Sequence, residues 1–221
     1  MSDQITITID GRQINVMPGL KLLWAALDNG IYIPHLCAIR EEIRPNASCR
    51  LCFVEIEGSK HPVTSCTKTV EENMVVKTRS PRIDRLVKTA FELIISDHNL
   101  KCNECPANKN CVLQTIAKER GLRLKQKRFK SIVREFELDD SPEVFAFDRS
   151  RCVLCGQCIW ADRVEAKVGA IGFTNRGIKR MVTTFKDLPL ADSICTQCTL
   201  CVDACPVGAL YYKKDRKEAG S

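Results

Sequence analysis

Cys195-Thr196-Gln197-Cys198-Thr199-Leu200-Cys201-Val202-Asp203-Ala204-Cys205-Pro206 is the stretch on which the reading turns. Its cysteines are separated by two, two and three residues, and a proline closes the run. Moving 43 positions upstream from the first three lands on Cys152, Cys155 and Cys158, and the same shift takes Ala204 to Ala161. Val168-Gly169-Ala170-Ile171 then resembles Val207-Gly208-Ala209-Leu210 after a four-residue insertion. The C-terminal part is therefore an internal repeat of one unit, a cysteine loop followed by a short helix and a strand. Val144 to Phe147 leads in and Leu210 to Tyr212 closes, so two copies predict a pseudo-symmetric α+β module.

Upstream stand seven more cysteines, Cys37, Cys49, Cys52 and Cys66, then Cys102, Cys105 and Cys111, which brings the total to 14 in 221 residues. With 44% hydrophobic and 28% charged residues the chain reads as neither disordered nor membrane-spanning. Its longest apolar run, Leu22 to Leu27, is far short of a membrane span. The opening Met-Ser-Asp-Gln has no basic region and no apolar signal core, so the expected location is cytoplasmic. Disulfides are rare in such a reducing compartment, and clustered thiols there bind metal or carry redox chemistry.

Each spacing limits what it can hold. The C-x2-C-x2-C-x3-C-P run is that of bacterial [4Fe–4S] ferredoxins, in which the fourth cysteine of a two-cluster protein ligates the other cluster. Cys205 is thus expected to complete the set of Cys152, Cys155 and Cys158. Seven thiolates in this arrangement do not divide into tetrahedral sets of four, which argues against zinc. By the same logic the Cys195, Cys198 and Cys201 set takes its fourth ligand from position 162, where the repeat predicts Cys and the chain has Asp162. A carboxylate is a harder donor than a thiolate. Four outcomes stay open: Asp162 ligates a [4Fe–4S] cluster, the corner iron is missing and the cluster is [3Fe–4S], another group or solvent fills in, or Asp162 merely caps a helix. The middle group, His98-x3-Cys102-x2-Cys105-x5-Cys111, suits zinc or a cluster by spacing alone. In the first group, Cys37-x11-Cys49-x2-Cys52-x13-Cys66, the first gap departs from the plant-type C-x4-C-x2-C pattern while the central pair remains.

Local patterns place these groups. Ile5, Ile7 and Ile9 alternate with Thr6 and Thr8 as in a half-buried strand, Asp10-Gly11 turns the chain, and Ile14 and Val16 continue on a second strand. Leu20, Leu23, Trp24 and Leu27 recur at helical spacing until Asn29-Gly30, and Phe53 to Ile56 reads as a further strand closed by Gly58. A hairpin, a packing helix and further strands suit a β-grasp sheet, which favours [2Fe–2S] over zinc for the first group. Ser80-Pro81 opens a helix whose apolar stripe is read as Ile83, Leu86, Val87, Ala90, Leu93 and Ile94, reaching His98. A second helix runs from about Val112 to Arg120 and stops at Gly121.

Between 118 and 134 come eight cations opposed by Glu119 alone, read as a solvated linker or, second, as a surface for an acidic partner. Nucleic acid is not an expected partner, because the net charge of +7 is modest and the lone Phe129 is no stacking platform. There is no G-x-G-x-x-G fingerprint and no P-loop. His35 reads as a packing residue near Cys37 and His61 as an exposed turn residue, so no catalytic residues are nominated.

Pro45-Asn46-Ala47-Ser48-Cys49-Arg50-Leu51-Cys52-Phe53-Val54-Glu55 resembles the [2Fe–2S] motif of the respiratory complex I subunit that carries the N-terminal iron–sulfur domain. Asp97-His98-x3-Cys102-x2-Cys105-Pro106-x4-Cys111-Val112-Leu113-Gln114 is similar to that family's [4Fe–4S] motif of one His and three Cys. The same order of motifs occurs in diaphorase subunits of NAD-reducing hydrogenases, in NAD-linked formate dehydrogenases and at the front of iron-only hydrogenases. The resemblance implies an α+β chain of three modules: a β-grasp [2Fe–2S] domain over 1–78, a small helical His/Cys-ligated [4Fe–4S] domain over 79–135 and a two-cluster ferredoxin-like domain over 136–221. It implies one [2Fe–2S] and three [4Fe–4S] clusters, and single electrons relayed between a flavin/NAD-binding subunit and a separate catalytic subunit of hydrogenase or formate dehydrogenase type. A free-standing multi-cluster ferredoxin is the alternative, and a zinc-stabilised scaffold the third reading. Asp162 and the lack of any cysteine after Cys205 are the two departures from the family pattern.

Overall fold

In the computed structural model, which describes residues 4–125 and 127–216, the alternating isoleucines form β1 (Ile5–Ile9) and β2 (Arg12–Val16). Asp10 and Gly11, at φ 50° and 82°, turn β1 into its antiparallel partner in the left-handed conformations that such tight hairpins need. The Asp10 carboxylate is also a brace, accepting the Thr78 N–H at 2.8 Å and its hydroxyl at 2.6 Å. α1 (Leu22–Asp28) follows, then β3 (Phe53–Ile56), β4 (Val63–Thr64) and β5 (Val75–Lys77). β5 lies parallel to β1 and antiparallel to β3, giving the mixed order β2-β1-β5-β3-β4. One sheet face buries Ile7, Ile9, Ile14 and Val16 in a single core with Leu22, Leu23, Ala25 and Ala26 of α1. Each of the larger side chains contributes about 1.5–3 kcal/mol by leaving water.

The chain divides into two compact units, Met1–Phe91 and Glu92–Ser221, with the boundary inside α2 (Pro81–Ser96). Ser80 caps α2 by accepting the Ile83 N–H at 3.1 Å. Its buried stripe differs from the expected one: Ile83, Val87, Phe91 and Ile95 are buried, whereas Leu93 is 51% exposed. That stripe repeats at every fourth residue, and Phe91 and Ile95 take the places the sequence reading gave to Leu93 and Ile94. The helix ends at Ser96, two residues before His98. α3 (Val112–Arg120) ends as expected at Gly121, whose φ of 63° lets the chain leave through a left-handed cap.

In the second unit β6 (Phe145–Phe147) pairs antiparallel with the last strand, so that the start and end of the repeat close on each other. α4 (Gln157–Trp160) runs on into a π-helical turn, Ala161–Glu165. β7 (Ile171–Thr174) then pairs with β8 (Met181–Thr184), a strand the sequence reading had not singled out. α5 (Leu200–Asp203) and β9 (Leu210–Tyr212) complete the second copy. Within the basic 118–134 stretch Arg120 is buried, Arg128 pairs with Glu92 at 3.5 Å and Arg134 grips Asp97 at 3.0 and 3.3 Å. Part of that charge therefore fastens the segment to the fold, where the sequence reading expects a solvated linker throughout. Among the described residues no helix is long and apolar enough to cross a membrane.

Candidate iron–sulfur donor sets

The first donor set hangs on the loop between α1 and β3 and on the turn after β4. Ala47 and Arg50 take φ 49° and 56°, folding the loop tightly enough for the Cys49 N–H to reach Cys37 Sγ at 3.4 Å. Cys37, Cys52 and Cys66 are buried. The Cys49 thiol donates to Cys37 and holds it down to about 5, and Cys66 does the same for Cys52, held near 7. The two donating thiols are pushed up by those bonds and by burial, and Cys66 also feels the charges of Cys37 and Cys49. All four thiols thus share one electrostatic neighbourhood. His35 is a packing residue, as expected: its ring meets Trp24 edge-on at 5.6 Å and its Nδ1 lies 3.0 Å from the Ile33 carbonyl. Arg40 lies over Trp24 at 4.8 Å and clamps Asp28, tying the Cys37 loop to α1. His61 is exposed, also as expected.

The second set follows α2. A 3-10 turn carries Cys102, and Cys111 stands at the N-terminus of α3. Burial pushes the Cys111 thiol up, and the charges of Cys105 and Cys102 add to it, so the three thiols are brought together. His98 is buried, and its Nδ1 has no hydrogen-bond partner. Burial pushes its imidazole down to about 4; a hydrogen bond to the Arg151 backbone opposes this and the Arg151 charge reinforces it. At neutral pH the ring is uncharged, the form that binds metal.

The two copies of the repeat superpose in backbone detail. Leu154 and Gln197 hold φ 55° and 56°, Gly156 and Thr199 hold 82° and 68°, and the Leu154 and Gln197 N–H groups each reach the sulfur of Cys152 or Cys195 at 3.4 Å. Burial pushes Cys158 well above the usual thiol range, and Cys152, Cys155, Cys205 and Cys201 push it further. Burial raises Cys152 to about 12, with Cys205 adding to it. Cys201 is likewise raised to about 12 by burial, then by Cys195, Cys198 and Asp162. Cys205 is thus within electrostatic reach of Cys152 and Cys158, and Asp162 of Cys195 and Cys201. Asp162 is buried at 8% exposure and accepts the Ile171 N–H at 3.1 Å through Oδ2, so its bond goes to β7 and not to a cap of its own helix. Among the described residues no His, Cys, Asp and Glu group of three or more has the geometry of a metal-ion site.

One residue escaped the sequence reading. A Cβ on Gly208 would lie 2.5 Å from Cys105 Sγ, and the Val112 N–H donates to the Pro206 carbonyl at 3.0 Å. The loop carrying Cys205 is thereby pressed against the second donor set. The repeat pairs Gly169 with Gly208, yet Gly169 is needed for its φ of 75° and Gly208 for want of space.

Three family models match the chain in order: a 2Fe-2S iron–sulfur cluster binding domain over residues 2–81, the NADH-ubiquinone oxidoreductase-G iron–sulfur binding region over 88–124, and the ferredoxin-like domain of NADH-quinone oxidoreductase subunit 3 over 142–211. The NADP-reducing hydrogenase subunit HndD of Solidesulfovibrio fructosivorans is 36% identical over 93% of this chain and 36% of its own length. An NADH-quinone oxidoreductase subunit from Streptomyces coelicolor is 36% identical over 94% of this chain and 24% of its own length. The chain thus spans about a quarter to a third of these curated relatives. A chain in the crystal structure of an NAD+-reducing [NiFe]-hydrogenase in the H2-reduced state aligns with a TM-score of 0.86 at 30% identity, covering 98% of this chain and 90% of that one. Its order of donor sets and this full-length likeness place the protein in the family of electron-transfer iron–sulfur subunits found in NAD(P)-linked hydrogenases and related to the corresponding part of NADH-quinone oxidoreductase.

Proposed function

We propose that this chain relays single electrons between a flavin/NAD-binding subunit and a separate catalytic subunit of hydrogenase or formate dehydrogenase type, in the cytoplasm. Cys37, Cys49, Cys52 and Cys66 hold a [2Fe–2S] cluster in a β-grasp module over 1–78. His98, Cys102, Cys105 and Cys111 hold a [4Fe–4S] cluster in a helical module over 79–135. In the ferredoxin-like module over 136–221, Cys152, Cys155, Cys158 and Cys205 hold a second, and Cys195, Cys198, Cys201 and Asp162 a third. What supports this reading most is the crossed electrostatic reach, of Cys205 to Cys152 and Cys158 and of Asp162 to Cys195 and Cys201.

The residues suit such groups chemically. Buried thiols whose mutual charges push them toward the neutral form need a compensating cation to become thiolates. The neutral, unpartnered Nδ1 of His98 is a free imidazole donor. When bound, the clusters supply one-electron redox centres. The protein buries half of the cysteines and aims backbone N–H groups at Cys37, Cys152, Cys195 and Cys205, at 3.4–3.5 Å, which favours the anionic sulfur. Contact of Gly208 with Cys105 holds the second and third donor sets side by side.

Anaerobic reconstitution with iron and acid-labile sulfide analysis tests the proposal, followed by low-temperature magnetic resonance. One two-iron and three four-iron centres are expected, and Cys205→Ala should remove one four-iron centre. A colourless protein with zinc and no sulfide would refute it. A monomer that exchanges electrons freely with soluble reductases would favour the free-standing ferredoxin instead.

A further inference from the structure

The chain between the two cysteine triads buries Ile171, Val182 and Leu190 and leaves a groove open beside them. β7, β8 and the segment 185–194 line an open groove of about 870 Å³. Phe185, Ile194 and Leu188 stand on its walls at 79%, 68% and 41% exposure. Large apolar side chains left so open beside a groove mark an interaction surface better than they mark a core. Phe185 is also held there deliberately. The next two residues, Lys186 and Asp187, both take left-handed φ values, 58° and 57°, which non-glycine residues seldom adopt in succession. Arg149 pins Asp187 at 2.7 Å, Thr183 bonds the same carboxylate and Thr184 bonds the Leu188 carbonyl. An aromatic ring presented on a fixed backbone loses little entropy when it is covered.

The groove adjoins the Asp162-containing donor set. Ile194 precedes Cys195, and Ser193, on the groove wall, accepts the Cys195 N–H at 3.2 Å. Ile171, on its floor, donates to Asp162, and Arg163 follows Asp162 in sequence. Cys198 of the same set is exposed. Of the exposed charged side chains, the cations Arg163 and Lys186 and the carboxylate Asp192 line the groove. Lys167, Arg176, Lys179 and Glu165 are exposed on adjoining stretches of chain, and Asp187 is already paired with Arg149.

We propose that this groove, with Phe185 as its anchor, is the docking surface for an acidic one-electron redox protein that exchanges electrons with the Cys195–Cys198–Cys201–Asp162 centre. The inference rests on the electron-relay reading above and adds the site and the charge of one partner. Docking brings the partner's redox group to the exposed edge of that centre; one electron crosses, the donor is oxidised and the acceptor reduced, and no proton or atom is transferred. A positive rim steers an anionic partner, and the apolar middle holds it.

Stopped-flow reoxidation of the reduced, fully loaded chain tests this, with flavodoxin as acidic probe and cytochrome c as basic probe. The rate with flavodoxin should fall steeply as salt is raised. Phe185→Ser, Ile194→Ser and Lys186→Glu should each slow it about tenfold, while cluster spectra and reoxidation by a small uncharged quinone stay unchanged. Ile43→Ser, at an 83% exposed position in the other unit, should leave the rate alone. Wild-type rates in all three groove variants, a rate indifferent to salt, or a preference for cytochrome c would overturn the docking surface alone. So would a dimer that Phe185→Ser dissociates, since the occupant would then be a second copy. Material without sulfide would instead remove the relay reading, and this proposal with it.

Discussion

Replacing Gly208 by alanine puts the packing between two donor sets under direct test. The added methyl would sit 2.5 Å from Cys105 Sγ, with the Ala107 amide nitrogen and Cβ each at 3.4 Å closing the way aside. Carbon atoms pack at about 3.5–4.0 Å, and sulfur needs no less, so something must move by about 1 Å. The neighbours that would have to move are a thiol and backbone, and the loop is tied by the 3.0 Å bond from Val112 to Pro206. Alanine in place of glycine restricts the unfolded chain, a gain of about 0.4–1 kcal/mol where it fits. Overpacking costs about 1–3 kcal/mol and wins. From the middle of those ranges the net cost is about 1.3 kcal/mol, which at about 3 °C per kcal/mol for a unit of this size is a fall of about 4 °C in the anaerobic melting temperature. The magnetic resonance signature of the centre that includes Cys105 should shift, and that of the Cys195 centre should not. Gly172→Ala is the control, because there the nearest atom is the far end of the flexible Arg163 side chain at 3.1 Å. If Gly208→Ala melted within 1 °C of Gly172→Ala with every spectrum unchanged, the tight junction between the two sets would be refuted.

Asp162→Cys should alter the low-temperature spectrum or midpoint of one centre only, and unchanged signals throughout would exclude ligation by Asp162. Phe91→Ala should destabilise the fold by about 3–5 kcal/mol in denaturant titration, whereas Leu93→Ser should stay within about 0.5 kcal/mol; equal costs would return the buried stripe to Leu93. The Arg40 guanidinium holds the Asp28 carboxyl below the usual carboxylate range. Its stabilising contribution is therefore complete above the unfolded value of about 3.9 and disappears as pH falls through the lower folded value. With both partners nearly half exposed the pair is screened. Asp28→Asn should accordingly cost under about 1 kcal/mol at pH 7, and the variant's stability should converge on wild type once the pH falls below the lowered folded value; a gap persisting in strong acid would contradict the ion pair.

How far the sequence could be read depended on whether one residue pattern admits one structure. Strict alternation around Asp10-Gly11 permits a hairpin and little else, and β1 and β2 lie where it put them. Cysteines spaced by two residues encode a loop geometry, and the matching left-handed residues at Leu154 and Gln197 show that both copies fold alike. α2 was different. Its residues 83–95 support two apolar stripes at helical spacing, and only the surroundings decide that Phe91 and Ile95 turn inward while Leu93 faces out. β8 is a strand because β7 is beside it, and nothing in Met181–Thr184 alone demands pairing. The role of Gly208 was illegible because its reason lies in Cys105, about a hundred residues away in sequence.

The same dependence on distant partners runs through the repeated part. α4 and α5 are each one turn long, too short to persist alone. The loops before them hold Leu154, Gln197 and Thr199 in left-handed backbone that side chains disfavour. Under the proposed ligation these conformations are retained by an exchange of donors, in which each half supplies one residue, Cys205 or Asp162, to the triad of the other. Neither half can complete its own set, so under the proposed ligation assembling the clusters and docking the halves are one event, with metal-binding free energy serving as folding free energy. Unit Met1–Phe91 differs in degree, since its sheet and α1 bury a continuous, mainly aliphatic core in which Cys52 and Cys66 also take part. Apolar burial serves both units, with Phe145, Phe147, Leu113 and Ile116 buried in the second, and under the proposed ligation the second adds a dependence on donors exchanged between its halves.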